Sequence, residues 1–145
     1  MENEQFMEDL LSVLPHWHWA VERTLKQSLS GKMSLETYYC LQTLRHHGPM
    51  TMSDLALRLH ISRQQATQMV ARLWEADMVR RLHENPDRRT IEIEITEHAK
   101  DYIQRTLYQN TAFLQALTDR VGEENMAELA AAVSTLLRIL PQTEE

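Results

Sequence analysis

The sequence predicts a mainly α fold carrying one small β-hairpin, and three features predict it. Glycine and proline are scarce, 3 and 4 of 145 residues, in a chain rich in Leu, Ala, Glu and Gln, which favours helices. Apolar residues recur at helical spacing through most of the chain. Between residues 79 and 95 that period changes to two, on either side of a segment holding Asn85, Pro86 and Asp87.

The elements follow in order. Phe6, Leu10, Leu14, Trp17, Val21, Leu25 and Leu29 keep close to helical spacing, and Pro15 among them predicts a kink or helix break near Leu14. Residues 35–45 read as a second helix with Tyr38, Leu41 and Leu44 inward. Thr51 is placed to cap a short third helix, with Asp54 in the reciprocal position, and Leu55, Ala56 and Leu59 share its inner face. After His60-Ile61, Ser62 and Gln65 form a second capping signature. Two capped helices joined by a turn of about three to four residues describe a helix-turn-helix.

The second of those helices divides by side. Ala66, Met69, Val70 and Leu73 make a buried stripe. Gln64, Gln68 and Ala71 point the opposite way, with Thr67 and Arg72 flanking them. That outer face carries amides, a hydroxyl and arginine, where an ordinary solvated face would carry Glu and Lys. Glutamine bonds bidentately to adenine, and arginine to guanine.

Residues 79–83 and 90–95 then read as two strands, the second burying Ile91, Ile93 and Ile95 on one face. Arg88 and Arg89 lie at the tip between them. Such a hairpin is marginal alone, so its isoleucine face must rest on helices. Beyond it, Thr96 should cap a long helix to about residue 118. A final helix over about 123–140 carries Met126, Leu129, Val133, Leu136, Leu137 and Leu140, and Pro141 stops it.

Charge fits this division. The chain is acidic, net −6, yet residues 58–89 hold seven arginines against Glu75, Asp77, Glu84 and Asp87. Cationic arginine concentrated on one stretch is the footprint of a nucleic-acid surface. The length suits a single domain, residues 1–145, with one core. No apolar run approaches the roughly 18 residues of a membrane helix, and the opening Met-Glu-Asn-Glu-Gln is acidic where a signal peptide is basic. Cys40 is the single cysteine, which excludes an intrachain disulfide and suits a reducing compartment. The expected location is the cytoplasm.

Residues 33–100 resemble the MarR family of winged helix-turn-helix transcriptional regulators. The resemblance is carried by Gly48-Pro49-Met50-Thr51, Asp54-Leu55-Ala56, Ile61-Ser62-Arg63-Gln64-Gln65-Ala66, Asp87-Arg88-Arg89 and Ile95-Thr96-Glu97. It implies a DNA-binding lobe over 33–100, dimerisation helices over 1–32 and 101–145, and a homodimer on a pseudo-palindromic operator. It further implies a repressor that answers to a small aromatic or phenolic ligand. Carried over residue by residue, Gln64, Thr67 and Gln68 would face base edges, and Arg63 and Arg72 phosphates. Ser62, Gln65 and Arg88 belong to the same surface, while Arg89 would enter the minor groove with Asp87 orienting it. His60 stands where relatives commonly have a turn glycine, which predicts a positive φ, and Ala99 replaces another frequent glycine. The terminal helices carry more apolar surface than a small winged helix covers, which agrees with pairing.

A candidate ligand pocket comprises Trp17, Trp19, Met33, Tyr38 and Tyr39, with interface or core packing the alternative for the same residues. His16 and His18 point to different sides of a helix and make a poor chelate, so no metal is expected, and no cofactor is implied. The chain has no Gly-rich phosphate loop, nucleophile elbow or HExxH, which argues against an enzyme. Two alternatives remain. One is oxidant sensing through Cys40, although no Lys, Arg or His is near in sequence to lower its pKa. The other is a winged helix that binds protein, which would favour an apolar or acidic outer face and an uncharged wing.

Overall fold

The computed structural model describes residues 2–82 and 91–141. In chain order the elements are α1 (Asn3–Trp17), a π-helical segment (His18–Glu22), α2 (Arg23–Leu29), α3 (Leu35–His47), β1 (Met50–Thr51), α4 (Met52–Leu59), α5 (Arg63–Glu75), β2 (Val79–Leu82), β3 (Glu92–Ile95), α6 (Glu97–Ile103), a second π-helical segment (Gln104–Tyr108), α7 (Thr111–Val121), a 3₁₀ turn (Glu123–Asn125) and α8 (Met126–Ile139). They divide into two compact units, residues 33–109 and residues 1–32 with 110–145.

The central unit is built on side-chain caps. The hydroxyl oxygens of Ser34, Thr51, Ser62 and Thr96 accept from the amides of Thr37, Asp54, Gln65 and Ala99, starting α3, α4, α5 and α6. Each cap satisfies one of the amides a helix start leaves without an intrahelical partner. Cys40, Leu41 and Leu44 of α3, Leu55 and Ala56 of α4, and Ala66, Val70 and Leu73 of α5 make the core, with Val79, Ile93, Ala99 and Ile103. His60, in the α4–α5 turn, has φ +55°, the left-handed conformation expected at that position. Asp77, entering β2, has φ +60°, and Thr96 Oγ1 donates to its carbonyl at 2.7 Å, tying that turn to the start of α6.

The hairpin is part of a three-stranded antiparallel sheet ordered β1-β3-β2. β3 is its central strand: Ile93 faces Met50 on one side and Arg81 on the other. The sequence predicts two strands, and the third is only two residues long, too short to show a period. The isoleucine face is also narrower than expected. Ile93 is buried, Ile95 half-buried, and Ile91 lies before the strand and is 40% exposed. The expected strand residues 83 and 90, and the turn between them, lie outside the described residues.

Two helix expectations need correction. The expected break near Leu14 does not occur: α1 runs through Pro15 to Trp17, and the backbone widens to the π-helical segment immediately after it. A widened turn absorbs a local mismatch in hydrogen-bond register without ending the helix. The expected single helix over 96–118 is instead two. Asn110 ends the first π-extended rod and caps α7, its Oδ1 accepting from the Phe113 amide at 2.9 Å. An asparagine ahead of an apolar helix is a start signal. Asn110 Nδ2 also donates to Ser28 Oγ at 3.1 Å, on the strand of chain that closes α2. Gly122, at φ +95°, turns the chain from α7 toward α8.

In the outer unit, α2 packs on α7 and buries Thr24 and Leu29. Neither α1 nor α8 has a buried residue. Phe6, Met7, Leu10, Leu11, Val13 and Leu14 of α1, and Leu136, Leu137 and Ile139 of α8, are all exposed. Among the described residues no helix is long and apolar enough to cross a membrane.

Candidate nucleic-acid interface

α5 sorts its side chains as the sequence predicts, with one shift. Ala66, Val70 and Leu73 are buried, whereas Met69 is only half-buried at the edge of the stripe. Arg63, Gln64, Gln65, Thr67, Gln68, Ala71 and Arg72 are all exposed. The start of this face is held by a reciprocal cap: Ser62 Oγ accepts from the Gln65 amide at 3.0 Å, and Gln65 Oε1 accepts from the Ser62 amide at 2.9 Å. Those two side chains therefore fix the helix before they offer anything outward; Ser62 keeps its hydroxyl proton and Gln65 its Nε2. Thr67 Oγ1 donates to the Arg63 carbonyl at 2.8 Å, which leaves its oxygen as an acceptor.

The arginine stretch is not uniform. Arg80 is paired with Glu94 across the β2–β3 ladder, so its charge is locally neutralised. Arg58 Nη1 lies 3.4 Å from His47 Nε2. Arg81, in β2, sets its guanidinium carbon 5.3 Å from the ring centre of Trp74, near the end of α5. Arg63 and Arg72 are exposed and make no ion pair among the described residues. Asp87, Arg88 and Arg89 lie outside the described residues. The Trp74–Arg81 stack was not anticipated, although helical spacing from Thr67 places Trp74 two turns along the same flank.

The five candidate pocket residues fall in both units. Trp17 lines a cleft of about 380 Å³ in the outer unit with Asp9, Val13, His16, Val21 and Leu129. Trp19 is exposed. In the central unit Met33 is buried in the core and Tyr39 is half-exposed. Tyr38 Oη lies 3.2 Å from Tyr108 Oη, and burial, followed by that hydrogen bond, raises its phenol above the ordinary tyrosine value. His16 Nδ1 meets the Ser12 carbonyl at 2.7 Å and His18 Nδ1 meets Glu22 Oε2 at 3.0 Å, so the two imidazoles serve different partners.

Cys40 is fully buried in α3, and burial pushes its thiol up to about 12. The reactive form is the thiolate, so at neutral pH this side chain is an inert apolar filler. The native protein is therefore expected to resist alkylation by iodoacetamide at pH 7.5 and to react once unfolded in denaturant. Rapid labelling of native protein, followed by mass spectrometry, would restore the oxidant-sensing alternative.

Comparison with known proteins extends these observations. The model of the MarR family matches residues 33–91. The uncharacterized HTH-type transcriptional regulator YfiV of Bacillus subtilis is 35% identical over 114 residues, covering 78% of this chain and 71% of that protein. The HTH-type transcriptional repressor MdtR of the same organism is 23% identical over 143 residues, 98% of this chain and 92% of the relative. In fold, the chain is similar to a mutant MarR of E. coli solved with operator DNA, at TM-score 0.60 and 20% identity, covering 97% of this chain and all of that one. The matched helix-turn-helix region and the relative that is 35% identical together show that the chain belongs to the MarR family of transcriptional regulators.

Proposed function

We propose that this DNA-binding regulator works as a homodimeric repressor, one α5 helix entering the major groove of each operator half-site. Gln64, Thr67 and Gln68 face base edges, Arg63 and Arg72 take phosphates, and Ser62 and Gln65 hold the helix start against the backbone. The observation that carries this reading is the outer face of α5, fully exposed and free of large aliphatic residues along its first two turns. The operator-bound fold relative supports the placement, and MdtR, named a repressor, supports the sign of regulation. Dimerisation is supported by the uncovered apolar sides of α1 and α8. A small aromatic or phenolic compound serves as the releasing signal, and the cleft beside Trp17 falls within the roughly 300–1,000 Å³ range of small-molecule sites.

Selection of bound DNA from a random pool tests the reading directly: it should return an inverted repeat with half-site centres about 10 base pairs apart. No enrichment over input DNA would sink it.

The wing completes the contact. In this reading Arg89, between the two strands in sequence, enters the minor groove, where narrow A·T tracts concentrate negative potential. Asp87, two residues before it, orients the guanidinium, and Arg88 is left for the backbone. Arg89→Ala should weaken binding most on A·T-flanked operators and flatten the salt dependence by about one unit of slope. Asp87→Ala should give a smaller loss in the same direction. Binding curves at two salt concentrations on A·T- and G·C-flanked operators check both, and unchanged affinity of Arg89→Ala throughout excludes the wing.

A further inference from the structure

Trp74 is a large aromatic residue left 48% exposed near the end of the helix proposed to enter DNA. Successive residues of a helix turn by roughly 100°, so Trp74 stands on the flank that also carries Arg63 and Thr67, bordering the stripe of Ala66, Val70 and Leu73. Arg81 reaches it from β2. The alternation of that strand sends Arg80 to Glu94 and Arg81 to the other face, so the two neighbouring arginines have different fates. Arg80 is neutralised by a carboxylate; Arg81 lies on an aromatic ring face, which holds a guanidinium in place and leaves its charge intact.

The location gives that charge a use. When a helix occupies the major groove and the following hairpin the adjacent minor groove, the sugar–phosphate strand between the two grooves must cross the junction of helix and hairpin. Trp74 and Arg81 meet at that junction, one from α5 and the other from β2. We propose that Arg81 is a phosphate contact for that strand and that Trp74 is its positioning residue, holding the guanidinium flat and extended between recognition helix and wing. Among the described residues the Arg81 guanidinium makes no ion pair, so its N–H edge can serve phosphate oxygens, and pre-orientation limits the rotamer entropy lost on binding. This proposal rests on the placement of α5 in the major groove.

The test uses the full chain and an operator from random-pool selection, with affinity measured against salt. Arg81→Ala should weaken binding to operator and to random DNA by a similar factor, on the order of 5- to 20-fold at low salt, and reduce the salt slope by about one. Trp74→Ala should lose about 2- to 5-fold with Arg81 present and nothing further in the Arg81→Ala background, while Trp74→Phe retains most of the affinity. A purely structural stack would lower the thermal midpoint and leave the salt slope at its wild-type value, which overturns the proposal. An unchanged slope in Arg81→Ala, with Gln64→Ala still losing operator preference, overturns the phosphate contact alone. If Gln64→Ala also leaves operator preference intact, the placement of α5 fails with it.

Discussion

The variant Leu14→Asp/Leu137→Asp is expected to be a monomer at micromolar concentration and to bind the intact operator at least about a thousandfold more weakly than wild type, near the non-specific level. Both leucines are 64% exposed in the single chain, so charge there leaves the folded chain nearly untouched. In a paired chain the same carboxylates would be carried into an apolar contact, where an unpaired charge costs several kcal/mol per site. The reason to expect that contact is the extent of what lies uncovered: α1 and α8 bury none of their own residues, yet α1 alone exposes Phe6, Met7, Leu10, Leu11, Val13 and Leu14. A contiguous apolar surface of that size is seldom left to water. Dimeric binding multiplies two half-site contacts, so its loss should appear as a loss of operator preference, while random DNA is held nearly as before. Sedimentation velocity gives the state and a binding curve the affinity; a double variant that still sediments as a dimer removes these faces from the interface.

What could be read from residues and what could not follows one physical line. Local signals with a strict geometry were legible: the hydroxyl caps of Thr51, Ser62 and Thr96, the reciprocal Ser62–Gln65 pair and the division of α5 into inner and outer faces, whereas the Ser34 cap was not foreseen and the positive φ at His60 followed from the family resemblance. The first three depend on a few adjacent side chains and a fixed periodicity. Features set by tertiary partners were not. β1 exists because Met50 and Thr51 find β3 across the fold, and no period can be read from two residues. Arg80 and Arg81 are indistinguishable in sequence, yet one meets Glu94 and the other Trp74. Pro15 misled because a helix is able to carry a missing donor when the next turn widens, and Asn110 was missed because the apolar spacing continues across it.

The second large effect concerns Gln64 and Gln68. Each faces outward from α5, one turn apart, and neither has a structural duty: the cap belongs to Ser62 and Gln65, and the core to Ala66, Val70 and Leu73. Alanine is at least as good a helix former as glutamine, so Gln64→Ala and Gln68→Ala should leave the thermal midpoint within a degree or two. Each removes one amide able to bond both N6 and N7 of adenine, and should cost operator binding about 1–3 kcal/mol. The double variant should lose about the sum, less whatever the neighbouring sites share. Binding to random DNA should barely change, and the salt slope should keep its wild-type value, since no phosphate contact has been lost. Gln65→Ala is the contrasting control. Breaking the reciprocal cap should cost helix stability about 0.5–1 kcal/mol, and any loss of affinity should then fall on operator and random DNA alike. Competition titrations of all four proteins on selected operator and scrambled duplex separate the two patterns. Equal losses on both DNAs for Gln64→Ala and Gln68→Ala would mean that this face of α5 does not read sequence.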